Sequence, residues 1–207
     1  EIRFSVGGFD FYSLLFGKFN VSNILAAVAA AHSLGVPLQK IAEALKNISG
    51  IPGRLEIIQR EPFRVVVDYA HTPNALKSVY KVLKEAFPGS RLVCVLGAAG
   101  GGRDKWKRPE LGKIAGEFCG EIIVTNEDPY DEPPEDIIDE VAAGVGRRVQ
   151  KTLDRPEAIR HALRIAKAGD TVIITGKGAE QWIVGPQNTK IPWDDRVVVR
   201  EEMERSK

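Results

Sequence analysis

The sequence predicts an α/β protein: a Rossmann-like open sheet, mostly parallel, with helices on both faces, preceded by the tail of a differently patterned domain. Two observations carry this. Beyond residue 50, short uninterrupted apolar runs at 64–68, 92–96, 122–124 and 171–175 alternate with amphipathic stretches of helical period. Strands without a polar face are those buried on both sides, as in a parallel sheet covered by helices. Before residue 50 that alternation is absent, and Ser49-Gly50-Ile51-Pro52-Gly53 gathers turn formers as a linker would. The boundary is therefore placed between domains 1–50 and 51–207.

The elements follow in order. Residues 2–16 cluster apolar and aromatic side chains around Gly7-Gly8, the pattern of a short hairpin. From Asn20 onward Val21, Ile24, Leu25, Val28 and Ala31 recur at helical spacing until Gly35 and Pro37 close the segment, and a second short helix is predicted over 38–46. In the second part, Thr72-Pro73 forms an N-cap and first-turn pair for a helix over 74–86, Pro109 opens a helix to 118, a helix covers 134–143, and Asp154 caps a helix over 155–167. Open parallel sheets bind ligands outside the carboxyl ends of their strands. The loops 68–72, 97–107, 125–130 and 176–180 are thus the places to look.

Composition narrows the function classes. With 207 residues, 43% of them hydrophobic, the chain can bury one good core and a smaller second piece. Lysine plus arginine (29) nearly cancels aspartate plus glutamate (28), so no net field draws nucleic acid or an anionic membrane, and any anionic ligand must be held by local charges. No apolar run approaches the ~20 residues of a bilayer span, and no basic-then-apolar leader is present. A cytoplasmic monomer is expected. The two cysteines, Cys94 and Cys119, have no ligand spacing and read as reduced, buried thiols. Because it opens on Glu1 with strand-like residues, the chain reads as a piece of something longer.

Each of the four loops has two readings. In Asp68-Tyr69-Ala70-His71-Thr72-Pro73, a carboxylate and an imidazole stand at the crevice, or Asp68 caps the turn and His71 is solvated. Gly97 to Gly102 has the outer spacing of a phosphate loop, but Arg103-Asp104 stands where Lys and Ser/Thr are required, so it fails that motif. Arg103, Lys105, Lys107 and Arg108 near a helix start suit a carboxylate or phosphate, or are solvated charges on a mobile loop. The acids around Glu127, Asp128, Asp131 and Glu132 either receive an ammonium group or precharge the next helix. Gly176-Lys177-Gly178-Ala179-Glu180 admits close backbone approach, or is an ordinary turn.

Taken jointly, these segments resemble the Mur ligases, and within them the branch that adds the third amino acid of the peptidoglycan stem. The likeness runs through Gly17-Lys18-Phe19-Asn20-Val21-Ser22-Asn23, Ile51-Pro52-Gly53-Arg54-Leu55-Glu56, Asp68 to Pro73, Arg103-Asp104-Lys105 with Lys107-Arg108-Pro109, and Gly176-Lys177-Gly178 with Glu180. The resemblance implies a central-domain tail over 1–50 and a carboxy-terminal domain over 51–207. It implies ATP contacts at Asn23, Arg54, Asp68 and His71, and amino-acid contacts at Arg103, Glu127, Asp128, Tyr130, Gly176 and Glu180. The implied reaction uses ATP and Mg2+ to phosphorylate the terminal carboxylate of UDP-MurNAc-dipeptide, after which a free amino acid attacks the acyl phosphate. The phosphate loop and the Mg2+ ligands are expected upstream, so these residues alone are expected to turn over nothing. Two departures stand out. Tyr130 replaces the arginine of the diaminopimelate-adding pattern, which favours lysine as acceptor, and Ala179 replaces a usual histidine, with no consequence assigned. The competing readings are a folylpolyglutamate synthase-like ligase and a non-catalytic nucleotide-binding or interaction module.

Overall fold

The computed structural model describes residues 1–102 and 104–205. The chain forms two compact units, Glu1–Ile51 and Pro52–Lys207. In the first, Gly7 and Gly8 adopt φ of 56° and 83°, a left-handed conformation cheap only for glycine. They reverse the chain between β1 (Ile2–Val6) and β2 (Phe9–Ser13), which pair antiparallel. Two helices follow, α1 (Lys18–Ser33) and α2 (Leu38–Leu45). Ile2, Phe11, Leu15, Ile24, Val28, Ala42 and Leu45 make the small core, with the rings of Phe4 and Phe11 stacked at 5.3 Å. Of the apolar repeat read in α1, Ile24 and Val28 are buried, whereas Leu25 remains 40% exposed.

The second unit runs β3 (Glu56–Gln59), β4 (Arg64–Asp68), α3 (Pro73–Ala86), β5 (Leu92–Leu96), α4 (Lys107–Phe118), β6 (Glu121–Thr125), α5 (Pro134–Gly144), β7 (Gln150–Thr152), α6 (Arg155–Ile165), β8 (Thr171–Thr175), β9 (Trp182–Val184), β10 (Lys190–Pro192) and α7 (Asp195–Arg205). Six strands form one sheet in the order β3-β4-β8-β5-β6-β7, parallel except for β3, while β9 and β10 form a separate antiparallel pair. The three strands predicted over 64–68, 92–96 and 171–175 have those bounds, and Thr72 and Asp154 cap α3 and α6 through side-chain bonds to Ala75 N (3.4 Å) and Glu157 N (2.8 Å). β3, β7, the β9–β10 pair and α7 were not foreseen. β3 and β7 are short edge strands of mixed polarity (EIIQ and QKT), so neither carries the apolar run that marked the others.

Alternation along the strands sorts the core. Val65, Val67, Val93, Val95, Val172 and Ile174 pack with Ala158, Ile159, Ala162 and Leu163 of α6 and Val199 of α7. Cys94, between Val93 and Val95, points the other way. It is disulfide-bonded to Cys119 at the end of α4, with S–S 2.00 Å and Cα atoms 6.1 Å apart. The expectation of two separate thiols is therefore corrected: the passage of α4 over β5 joins residues 25 positions apart, a proximity that spacing alone does not reveal.

On that side α4 and α5 meet backbone to backbone. A Cβ on Gly112 would stand 1.9 Å from Val141 O, and one on Gly144 would stand 1.9 Å from Pro109 O. Glycine at both positions sets how closely the helices approach. Gly112→Ala is expected to lower the urea midpoint, because forcing a methyl into a filled contact costs about 1–3 kcal/mol.

Candidate functional site

The carboxyl ends of β4, β5, β6 and β8 surround a cavity of about 280 Å³ lined by Tyr69, His71, Ala99, Gly100, Asp104, Lys107, Glu127, Asp128, Tyr130, Gly176 and Glu180. This is where an open parallel sheet places a ligand. Loops from all four predicted regions contribute. Among the implied amino-acid contacts, Glu127, Asp128, Tyr130, Gly176 and Glu180 are brought together here. Arg103 lies outside the described residues. Two non-glycine residues of the lining, Asp104 and Tyr130, hold φ of 51°, a strained backbone of the kind that concentrates at ligand sites.

The acids of the third loop have different partners. Asp128 accepts Lys177 Nζ on both oxygens at 2.9 Å and Val184 N at 2.8 Å. The same ammonium reaches Glu180 at 2.7 Å. Burial works against the charge of Lys177, which is 1% exposed, but Asp128 and Glu180 outweigh it and hold its pKa above the ordinary value. Glu132 accepts from Arg108, Lys105 and Gly102 N, which hold its pKa down to about 2. Arg108 is fully buried and also bonds Glu140 and Ala99 O. Of the basic residues that the sequence offered to a ligand, Arg108 and Lys105 are thus engaged in closing the glycine loop, and Lys107 faces the cavity.

Glu127 differs from its neighbours. It is 5% exposed, and its Oε2 has no hydrogen-bond partner among the described residues. Burial raises its pKa to about 7, with Arg155 pulling the other way. The carboxyl group lies against Gly176, where a Cβ would stand 2.3 Å from Oε2 and where φ is 111°. The missing side chain of Gly176 therefore makes room for Glu127.

Residues 53–71 form the other rim. Asp68 accepts Leu55 N and Ala70 N at 2.7 Å each, so its carboxylate pins two loops, the turn-capping reading left open by the sequence. The Arg54 guanidinium, exposed, lies 4.1 Å over the Tyr69 ring, and His71 meets the same ring edge-on at 4.6 Å. The Tyr69 hydroxyl donates to Glu180 at 2.9 Å, and burial together with that carboxylate pushes its pKa up to about 12. Gly53 has its Cβ position 2.2 Å from Ala179 N, which seats this rim directly on the loop that follows β8. Asn23 belongs to the first unit, exposed on α1, where its amide donates to Asn20.

The sequence did not single out Tyr69, Lys177 or Arg155. Arg155, 2% exposed, bonds both oxygens of Asp195 at 2.8 Å and donates to Asn126 O and Thr175 O at 3.0 and 2.9 Å. Those carbonyls directly precede Glu127 and Gly176. A basic residue in the first turn of a helix runs against the helix dipole, and that was the available signal.

The Mur ligase, glutamate ligase domain model matches residues 53–178. The chain belongs to the Mur ligase family. It is 44% identical over 196 residues to a UDP-N-acetylmuramoyl-L-alanyl-D-glutamate--2,6-diaminopimelate ligase from Trichormus variabilis, covering 92% of this chain and 39% of that protein. It is 43% identical over 211 residues to a UDP-N-acetylmuramyl-tripeptide synthetase from Roseiflexus sp., covering 96% and 41%. A solved diaminopimelate ligase structure superimposes with a TM-score of 0.70 at 37% identity over 97% of this chain and 41% of the other. The chain thus spans about two fifths of the length of these Mur ligases.

Two outcomes follow from the site. Between pH 4.5 and about 7 the unfolded chain has released the Glu127 proton that the folded chain keeps, so this residue's contribution to stability falls as pH rises through that window. Glu127→Gln is expected to raise the unfolding free energy relative to the parent at pH 8, by up to roughly 3 kcal/mol in a denaturant titration, with the difference closing towards pH 4.5. Arg155→Ala leaves Asp195 buried without its partner and is expected to cost about 3–5 kcal/mol in a denaturant titration.

Proposed function

We propose that residues 52–207 are the amino-acid-accepting domain of an ATP-dependent amide ligase that adds the third residue to UDP-MurNAc-dipeptide, with 1–51 the tail of its ATP-binding domain. The observation that carries this is the cavity at the strand ends, with Glu127, Asp128, Tyr130, Gly176 and Glu180 on its wall. The names of the relatives support it. A cytoplasmic, monomeric ligase is the matching setting, and no helix among the described residues is long and apolar enough to cross a membrane.

The residues fit a nucleotide on one rim. Arg54 is exposed and enters no ion pair among the described residues, the state of a guanidinium offered to phosphate. His71 meets the same Tyr69 ring, and Asp68 fixes the two loops that carry them; the base contact is assigned to Asn23 of the first unit on the family resemblance alone. ATP, when bound, supplies the activation of the carboxyl group to be joined. The side chains of this chain orient the nucleotide and hold the incoming amine for attack. The Mg2+ ligands are assigned to the rest of the ligase on the family resemblance.

The acceptor we assign is lysine. Asp104, Glu127, Asp128 and Glu180 line the cavity against Lys107, with Lys177 behind Asp128 and Glu180. The residual negative charge suits an amino acid with a second ammonium group. It disfavours glutamate, the acceptor of a folylpolyglutamate-type ligase. The second reading is diaminopimelate, favoured by the name of the Trichormus variabilis relative. Tyr130 lines the wall where the diaminopimelate-adding pattern has an arginine for the distal carboxylate, and loss of such a charge-assisted pair costs about 1.5–3 kcal/mol. The test is ATP-dependent phosphate release by the full-length ligase with UDP-MurNAc-dipeptide and each of lysine, diaminopimelate and glutamate. Lysine is expected to be used best. Preference for diaminopimelate overturns the acceptor, and release with none of them overturns the reading. The 207 residues alone are expected to release no phosphate.

A further inference from the structure

Two ionisable side chains of the cavity wall, Lys107 and Glu127, are little exposed and keep polar atoms without a hydrogen-bond partner among the described residues. Lys107 is 9% exposed, lines the cavity, and makes no ion pair or side-chain hydrogen bond among the described residues. Its neighbours are engaged: Lys105 by Glu132, Arg108 by Glu132 and Glu140, and Lys177 by Asp128 and Glu180. On the facing loop, Glu127 is 5% exposed and its Oε2 lacks a partner among the described residues. The two are close enough for the ammonium of Lys107 to pull down the pKa of Glu127. Lys107 lines the cavity with an ammonium that no other side chain binds among the described residues, and the buried Glu127 Oε2 lacks the hydrogen bond that would offset its desolvation, so a ligand in the cavity can answer both.

We propose that Lys107 grips the α-carboxylate of the acceptor amino acid while Glu127 receives its ammonium, the pair together reading the zwitterion. This rests on the reading that the acceptor is an amino acid. A zwitterion gives one opposite charge to each group. A free phosphate would answer Lys107 but meet Glu127, Asp104 and Asp128, which line the same cavity. Gly100 lines the same cavity. A Cβ on Gly100 would stand 2.1 Å from Pro129 O, so no side chain at that position intervenes. Lys107 sits at the first residue of α4, and the amino end of a helix adds its own attraction for a carboxylate.

The experiment uses the full-length ligase, its preferred acceptor and that acceptor's α-amide, which keeps the ammonium and removes the carboxylate charge. The unmodified enzyme is expected to prefer the acid by ~10-fold or more in kcat/KM, the range of a charge-assisted pair. Lys107→Met is expected to erase that preference and raise KM for the acid by a similar factor while KM for ATP stays unchanged, and Lys107→Arg is expected to restore part of it. Equal use of acid and amide by the unmodified enzyme overturns the inference without any variant, so a Lys107→Met that fails to fold does not shield it. A well-folded Lys107→Met that keeps the full preference also overturns it, while turnover with an amino acid leaves the proposed function standing. Absence of turnover with any amino acid removes the proposed function and this inference with it.

Discussion

The carboxyl end of the sheet depends on one buried ion pair. Arg155 enters from the first turn of α6, meets Asp195 at the start of α7, and spends its remaining donors on the backbone oxygens of Asn126 and Thr175. Trp193 Nε1 adds a further bond to Asp195 Oδ1 at 2.9 Å. One guanidinium thereby ties two helices to the ends of β6 and β8, which are not neighbours in the sheet. Such a group is tolerated in the interior when its charge is paired and most of its donors find acceptors. The pair therefore works as a whole or not at all, and what it fixes is the relative position of the residues that follow, Glu127 and Gly176. The 2.3 Å clearance at Gly176 is meaningful only because those two strand ends are held.

With the strand ends fixed, a run of acids that looks uniform in sequence is sorted by its partners. Glu132 is surrounded by donors and titrates near 2, whereas Glu127, buried and short of donors, titrates near 7. Asp128 shares Lys177 with Glu180, and Asp131 accepts the amide of Gln187. Desolvation and the supply of hydrogen-bond donors move a carboxyl in opposite directions. The loop therefore supplies three acids engaged by the protein and a fourth, Glu127, that remains available, out of residues a few positions apart. The left-handed backbone at Tyr130, whose amide bonds Val184 O at 3.1 Å, is what turns the loop between these environments.

The parts legible in the sequence are those whose cause is local. Apolar runs gave β4, β5 and β8 because a strand buried on both faces needs them throughout, and Thr72 and Asp154 announced α3 and α6 because capping is a relation between adjacent residues. Loops at strand ends were legible for the same reason, and five of the six implied amino-acid contacts line one cavity. What was hidden is what folding brings together from a distance. The Cys94–Cys119 bond depends on where α4 crosses β5, and the bare contact of Gly112 and Gly144 on where α4 meets α5. Asp68 reads in the sequence as a ligand contact or a turn cap, and spacing does not reveal that one of its two backbone partners is thirteen residues away at Leu55. Arg108 looked like a surface charge because Glu132 and Glu140 come from a separate loop and helix.

The two rims of the cavity are joined through Tyr69. Its ring carries Arg54 on one face and the edge of His71, and its hydroxyl reaches Glu180. From Glu180 the connection passes to Lys177 and on to Asp128. With its pKa pushed up to about 12, the phenol stays a donor at any neutral pH, so the link does not depend on proton exchange. Because Lys177 answers both Asp128 and Glu180, a shift of Glu180 changes the balance at Asp128, and a shift of the Tyr69 ring changes Glu180. A guanidinium drawn off that ring towards an anion therefore loses its stacking on the ring that positions Glu180. The rim that suits phosphate and the rim that suits an amino group are mechanically one piece, built from residues that sequence spacing keeps more than a hundred positions apart.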